Sequence, residues 1–139
     1  MDEQVKKLVT ELERDEGIRL KPYTDTVGKL TIGVGRNLDD VGISSQEARV
    51  LLVSDIRRAT LDLDRALPWW EEKLSPNRQR ALINMCFNLG LGRLLGFQKM
   101  LKALEEGRWQ DAHDEALDSK WAVQVGKRAN RIAEMFKNG

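Results

Sequence analysis

The sequence predicts an α+β fold that is mostly α. Three observations lead there. Helical periodicity runs through most of the 139 residues, a strand-like alternation is confined to a short stretch rich in turn formers, and hydrophobic residues make up 41% of the chain, enough for a real core. The length fits one domain, possibly built in two lobes.

The first helix covers residues 3–15, where Val5, Leu8, Val9 and Leu12 recur at i, i+3, i+4 and i+7 and make one apolar face. Gly17 stops it, since glycine is the usual residue just past a helix end, and this seats Glu16 at the end of the helix. Residues 17–38 then read as a two-stranded ribbon. Pro22 cannot donate to a ladder and belongs at a strand start or edge. Val27-Gly28-Lys29 permits a reversal because Gly28 tolerates positive φ. Leu30, Ile32 and Val34 alternate with Thr31, Gly33 and Gly35, so the apolar face carries Leu30 and Ile32 and Thr31 points to the other. Asn37–Gly42 is a loop.

Ser44 and Glu47 have the spacing of a capping box. A long helix follows to about Leu67, striped with Ala48, Leu51, Leu52, Asp55, Ile56, Ala59 and Leu63, in which Asp55 needs a partner. Pro68 ends it, and Trp69 and Trp70 pack into a core or a hinge more readily than they stack on a ligand. Ser75-Pro76 starts the next helix, Ser as cap and Pro as first residue. Ala81–Leu89 is apolar almost all round and reads as the central buried helix, with Cys86 a small core residue. Asn84 in so dry a place needs a hydrogen-bond partner, for which Asp15 is the candidate. Gly90, Gly92 and Gly96 loosen the chain. Further helices run from Gly96 to Leu104, from Trp109 to Ser119 and from Lys127 to Phe136.

Composition removes several chemistries. One histidine and one cysteine cannot make a Cys/His zinc site, and no metal or cofactor is expected. A Ser-His-Asp triad would have to use His113, which lies in a polar helical stretch and reads as a solvated surface residue. GVGRN lacks the Lys-Ser/Thr of a phosphate-binding loop. The net charge of +1 argues against nucleic acid. Charge is uneven, −2 over residues 1–70 and +3 over residues 71–139, with Lys120, Lys127, Arg128, Arg131 and Lys137 near the end; a solvated helix face and attraction to an anionic envelope explain this equally well. No stretch reaches the length of a membrane span, and the N-terminal residues lack a signal-peptide apolar core, so synthesis in the cytoplasm is expected.

Carboxylates remain for acid–base work. Taken singly, Glu16 is an ordinary helix-end charge and Asp25 an ordinary turn aspartate. Together with Thr31 they offer two carboxylates and a hydroxyl, which suits glycoside hydrolysis: one carboxylic acid protonates the leaving oxygen, and a second carboxylate stabilises the oxocarbenium-like charge and attacks or activates water.

The segments EGIRLKPYTDT and LTIGVGRNL, with Glu, Asp and Thr at this spacing, resemble the signature of the phage-type lysozymes, or endolysins. The likeness is strong over residues 8–38, moderate over 75–136 and weak over 39–74. It implies a single lysozyme-like domain over 1–139. A small β-ribbon lobe (17–43) would be joined by a linking helix (44–67) to a larger helical lobe (68–139 with 1–16), and the cleft between the lobes would hold polysaccharide. It implies hydrolysis of the β-1,4 bond between N-acetylmuramic acid and N-acetylglucosamine in peptidoglycan, by Glu16 as general acid, Asp25 ionised beside the developing charge, and Thr31 holding a water with it. The family is generally read as inverting. Asn37, Phe87 and Asn88 fall at positions assigned to substrate.

The resemblance also pairs Arg128 with Glu16. Many relatives carry a histidine where this chain has Arg36, and the histidine's aspartate partner falls at Asp55, so an Arg36–Asp55 ion pair is expected. A monomer, no stable membrane insertion, and release to the wall through a separate holin-type pore complete the picture. The competing reading is a degenerate lysozyme fold that binds peptidoglycan or serves as a scaffold. Retention of Glu16, Asp25 and Thr31 together favours the enzyme.

Overall fold

The computed structural model describes residues 2–139, which are mostly helical with one small antiparallel sheet. The chain divides into two compact units, residues 1–50 and 51–139.

The first unit opens with α1 (Glu3–Glu16). The Asp2 side chain caps it by accepting from Val5 N at 2.9 Å, and Gly17 (φ 74) closes it with a bond to Glu13 O. The apolar stripe Val5, Leu8, Val9 and Leu12 is exposed. Strands β1 (Arg19–Thr24), β2 (Leu30–Gly33) and β3 (Arg36–Asn37) follow, making a three-stranded sheet in the order β1-β2-β3. The expected two-stranded ribbon thus gains a third strand, and Arg36–Asn37 pairs with Thr31 and Ile32 where a loop had been expected from Asn37 onward. The β1–β2 register is irregular between Arg19 and Tyr23, where Pro22 has no N–H to give. The alternation in β2 is real: Thr31, on the face opposite Leu30 and Ile32, is 3% exposed, while Leu30 is 41% exposed.

Helix α2 (Ser45–Ala66) begins in the first unit with the expected capping box. Glu47 N donates to Ser44 Oγ at 3.1 Å, and Ser44 N to Glu47 Oε1 at 2.9 Å. The unit boundary falls inside this helix, after Val50.

The second unit holds the rest of α2 and seven further helices among the described residues: α3 (Trp70–Lys73), α4 (Pro76–Leu89), α5 (Leu91–Leu95), α6 (Gln98–Glu105), α7 (Trp109–Leu117), α8 (Lys120–Val125) and α9 (Lys127–Asn138). Leu63, Leu82, Met85, Leu94, Met100, Leu104, Ile132 and Phe136 are fully buried and form its centre. Helix α4 starts as predicted, Ser75 accepting from Arg78 N at 3.3 Å. It buries Ala81, Leu82, Met85 and Cys86, but Asn84, Phe87 and Asn88 are exposed, so it is one-sided rather than buried all round. Trp70 is core, its Nε1 donating to Asp64 at 2.8 Å. Helices α5 and α8 occupy segments expected to be irregular. Each is a short turn of helix entered from a small residue, Gly90 and Ser119 respectively, and neither is long enough to show a period.

Arg78, near the start of α4, reaches the far end of α9. It donates from Nε to Phe136 O at 2.8 Å and from Nη2 to Lys137 O at 3.2 Å, and its guanidinium lies 3.7 Å above the Trp109 ring. His113 is not the solvated residue expected. Its side chain is only 16% exposed, with Nδ1 2.8 Å from Asp114 Oδ1 and Nε2 3.6 Å from Glu134 Oε1.

Candidate active site

The reversal between β1 and β2 is built on the peptide groups around Lys29. Asp25 Oδ1 accepts from Val27 N at 3.0 Å and from Lys29 N at 2.8 Å, while Asp25 N donates to Lys29 O at 2.9 Å. An aspartate that bonds backbone two residues on is a strong turn former, and Gly28 at φ 86 supplies the left-handed step beside it. Thr31 Oγ1 donates to that same Lys29 carbonyl at 2.9 Å. Asp25 and Thr31 therefore both take the main chain of Lys29 as their reference, the carboxylate through its N–H and the hydroxyl through its C=O.

This leaves definite bonding capacity. The Thr31 proton is committed to Lys29 O, so its oxygen can only accept from a ligand. Asp25 uses Oδ1 on the turn, and no hydrogen bond to Oδ2 is formed among the described residues. Thr31 is directly opposite Asn37 on β3, whose own amide is engaged by Asp40: Asn37 Nδ2 donates to Asp40 Oδ2 at 3.0 Å, and Asp40 N to Asn37 Oδ1 at 2.9 Å.

Glu16 is the last residue of α1 and is exposed. It lies against the Val34-Gly35 turn that joins β2 to β3. A Cβ built at Gly35 would sit 3.3 Å from Glu16 Oε2 and 3.6 Å from its Cδ. The first unit thus holds Glu16, Asp25, Thr31 and Asn37 of the predicted site. Lys29 and Gly35, which sequence reasoning had treated only as parts of a turn and an alternation, contribute through their backbones; the sole trace of this in the sequence is the glycine.

The supporting residues have partners within their own units. Arg36 meets Glu47 in a two-point contact: Nη1 to Oε1 at 2.8 Å and Nη2 to Oε2 at 2.6 Å, with Nη1 also donating to Gly42 O at 3.1 Å. The guanidinium and the Ser44 amide hold the Glu47 carboxyl well below its ordinary range, at about 2, and the carboxylate raises Arg36 in turn. The capping box already fixes Glu47 at the head of α2, facing the guanidinium's fork. Asp55 pairs with Arg58, one turn on in its own helix, at 3.0 Å. Asp15 pairs with its neighbour Arg14 at 3.0 Å. Asn84 Oδ1 accepts from Arg128 Nε at 3.0 Å and Nη2 at 2.8 Å, so it is Asn84 that receives these donors of the arginine expected on Glu16. Asn88 Oδ1 accepts from Trp121 Nε1 at 2.7 Å, leaving Phe87 as an exposed aromatic one residue before. A cavity of about 630 Å³ in the helical unit has Phe97, Met100 and Trp121 among its walls and Arg93, Lys99 and Lys120 on its rim.

A mostly helical α+β chain with its glutamate at the end of α1, followed by an aspartate and a threonine locked onto one turn of a small sheet, is a lysozyme-like protein in its architecture. The comparison with known families is specific: residues 13–134 match the family described as Phage lysozyme, and the chain belongs to it. Among its relatives is "Probable T4-type lysozyme 2" of Dictyostelium discoideum, 32% identical over 97% of this chain and 96% of the relative. An "Endolysin" of Acyrthosiphon pisum secondary endosymbiont phage 1 is 31% identical over 84% of this chain and 80% of its own length. The "Pre-baseplate central spike protein Gp5" of Enterobacteria phage T4 is 31% identical over 92% of this chain, which spans only 27% of that protein.

Proposed function

We propose that this protein is a lysozyme-type glycoside hydrolase, an N-acetylmuramidase that cleaves the β-1,4 bond between N-acetylmuramic acid and N-acetylglucosamine of bacterial peptidoglycan. Membership of the phage lysozyme family and the names of its relatives support the class. The observation that supports the mechanism is the main chain of Lys29, whose N–H bonds Asp25 and whose C=O bonds Thr31.

Glu16 is the general acid that protonates the leaving glycosidic oxygen. Thr31 Oγ1, able only to accept, receives a hydrogen bond from a water, and Asp25 accepts the water's other hydrogen and takes that proton as the oxygen attacks the sugar carbon. Both hydrogens of that water are then engaged and its lone pair faces outward, toward the sugar carbon. Asp25 also sits as an anion beside the positive charge that develops on the ring. A water held between carboxylate and sugar is the arrangement of an inverting enzyme. Asn37, Phe87 and Asn88 contact the polysaccharide. The 139 residues act as one lysozyme-like domain and as a monomer, needing no cofactor. The protein reaches the wall through a separate holin-type pore and serves host-cell lysis. No described helix is long and apolar enough to cross a membrane.

The test is turbidity loss of outer-membrane-permeabilised Gram-negative cells, wild type against Glu16→Gln, with both proteins shown to be folded. Clearing by the wild type alone supports the reading. Equal clearing by both refutes Glu16 as the acid. No clearing by either, with retained binding to purified wall, replaces the enzyme with a binding module.

A further inference from the structure

Position 35 must be free of a side chain for two separable reasons, and one of them concerns the acid. Gly35 has φ 73, a backbone region that L residues with a Cβ rarely enter. Gly33, two residues earlier, has φ 70, so the same backbone demand occurs twice in one short stretch. The surroundings of the two glycines differ. A Cβ at Gly33 would meet nothing within 4 Å, whereas a Cβ at Gly35 would meet three atoms of one side chain, Oε2, Cδ and Cγ of Glu16, at 3.3, 3.6 and 3.8 Å. The first of these separations is tighter than an ordinary carbon–oxygen contact, and the atom concerned is one of the two oxygens that can carry the acid's proton.

Glu16 has little else to fix it. It is the last residue of α1 and exposed, the helix stops at Gly17, and its carboxylate makes no hydrogen bond or ion pair with residues 2–50. Within its own unit, the space that a Cβ of residue 35 would fill is where the end of this side chain lies. A long side chain with a free end is easily displaced, and displacement by a fraction of an ångström matters for a group that must meet the leaving oxygen.

We infer that Gly35 is a positioning residue for the acid: its bare backbone forms the surface against which the Glu16 carboxylate is set, and any side chain there displaces the carboxylate from its working place. This rests on Glu16 being the general acid. On this reading the β2–β3 turn contributes to the reaction although none of its side chains takes part.

The matched glycines give the experiment its control. Gly33→Ala and Gly35→Ala both put a Cβ on a residue of positive φ, 70 and 73, and only the second places a methyl against Glu16. Stability, measured by the protection of the sheet amides from hydrogen exchange, should fall by similar amounts in both. With soluble peptidoglycan fragments as substrate, kcat of Gly35→Ala should fall by roughly tenfold or more with KM little changed, and kcat of Gly33→Ala should stay within about twofold of wild type. Gly35→Asn, which tolerates positive φ better, carries the same Cβ and should lose kcat likewise if the alanine variant does not fold. Equal kcat losses at 33 and 35 would overturn the inference, since backbone strain alone would then account for both.

A readout that needs no catalysis separates this inference from the reading of Glu16. The carboxyl ¹³C resonance of Glu16 should move in Gly35→Ala and stay put in Gly33→Ala. An inactive wild type with that pattern would sink Glu16 as the acid while leaving the contact standing, and an unmoved resonance in Gly35→Ala would sink the contact itself.

Discussion

Replacing Arg78 with methionine keeps the aliphatic stem and removes the guanidinium that ties the start of α4 to the end of α9. Three interactions go with it. The half-buried bond from Nε to Phe136 O, a charged donor on a neutral acceptor, contributes about 1.5 kcal/mol. The more exposed bond to Lys137 O adds roughly 0.5 kcal/mol. The cation lying 3.7 Å over Trp109 adds about 1 kcal/mol. Both carbonyls are in the last turn of α9, where a cation also meets the negative end of the helix. Burial already works against this charge, since desolvation lowers the Arg78 pKa, so the net loss belongs near the lower end of the sum, about 2–3 kcal/mol. Urea unfolding followed by tryptophan fluorescence is the assay, because all four tryptophans lie in residues 51–139 and report on this unit. A cycle with Trp109→Leu should give a coupling of about 1 kcal/mol. A loss below about 0.5 kcal/mol for Arg78→Met, or no coupling to Trp109, would refute the account and make Arg78 a surface residue that happens to lie across the helix end.

Two further predictions concern the sheet unit. Glu47, held at about 2 against an ordinary 4.5, contributes stability that is fully present above pH 4.5 and is lost as pH falls from there toward 2; protection of the sheet amides should be weaker in Glu47→Gln than in wild type at pH 6, and the gap should narrow below pH 4.5. A gap that does not change with pH would mean that the charge on Glu47 is irrelevant. Asp25→Asn keeps an oxygen for the amides of Val27 and Lys29, so it should fold with the wild-type sheet yet lose about 10²-fold or more in cleavage of peptidoglycan, and Thr31→Val, nearly equal in shape, should do the same. A folded Asp25→Asn with wild-type turnover would leave this aspartate a turn former and nothing more.

What the sequence made legible, it made legible locally. The end of α1 at Gly17, the turn at Gly28, the capping box of Ser44 and Glu47 and the Ser75-Pro76 start are each settled within four residues, and each is present. The distant partners are different. Whether Arg36 would choose Glu47 or Asp55 depends on which carboxylate the fold holds still in front of it, and a pattern of residue types does not contain that. The same holds for Asn84, which finds Arg128 forty-four positions away. Alternation along β2 correctly separated Thr31 from Leu30 and Ile32, but a period of two defines two faces without saying which is covered. In the structure the covered residue is Thr31, its hydroxyl bonded to Lys29 O. His113 was misplaced for a related reason: polar neighbours in sequence do not show that a histidine will lie against a second helix.

The reliance of Asp25 and Thr31 on the main chain of Lys29 bears on how such a site can change over generations. What is held is a length, not a letter. Any residue except proline offers the same N–H and C=O at position 29, so its side chain is free to drift, and here it merely reaches Asp40 at the surface. A single residue inserted or deleted between 25 and 31 would break the spacing that lets both groups meet the main chain of one residue. Variation in this turn should therefore accumulate as substitutions, with the count of residues from Asp25 to Thr31 as the heritable quantity.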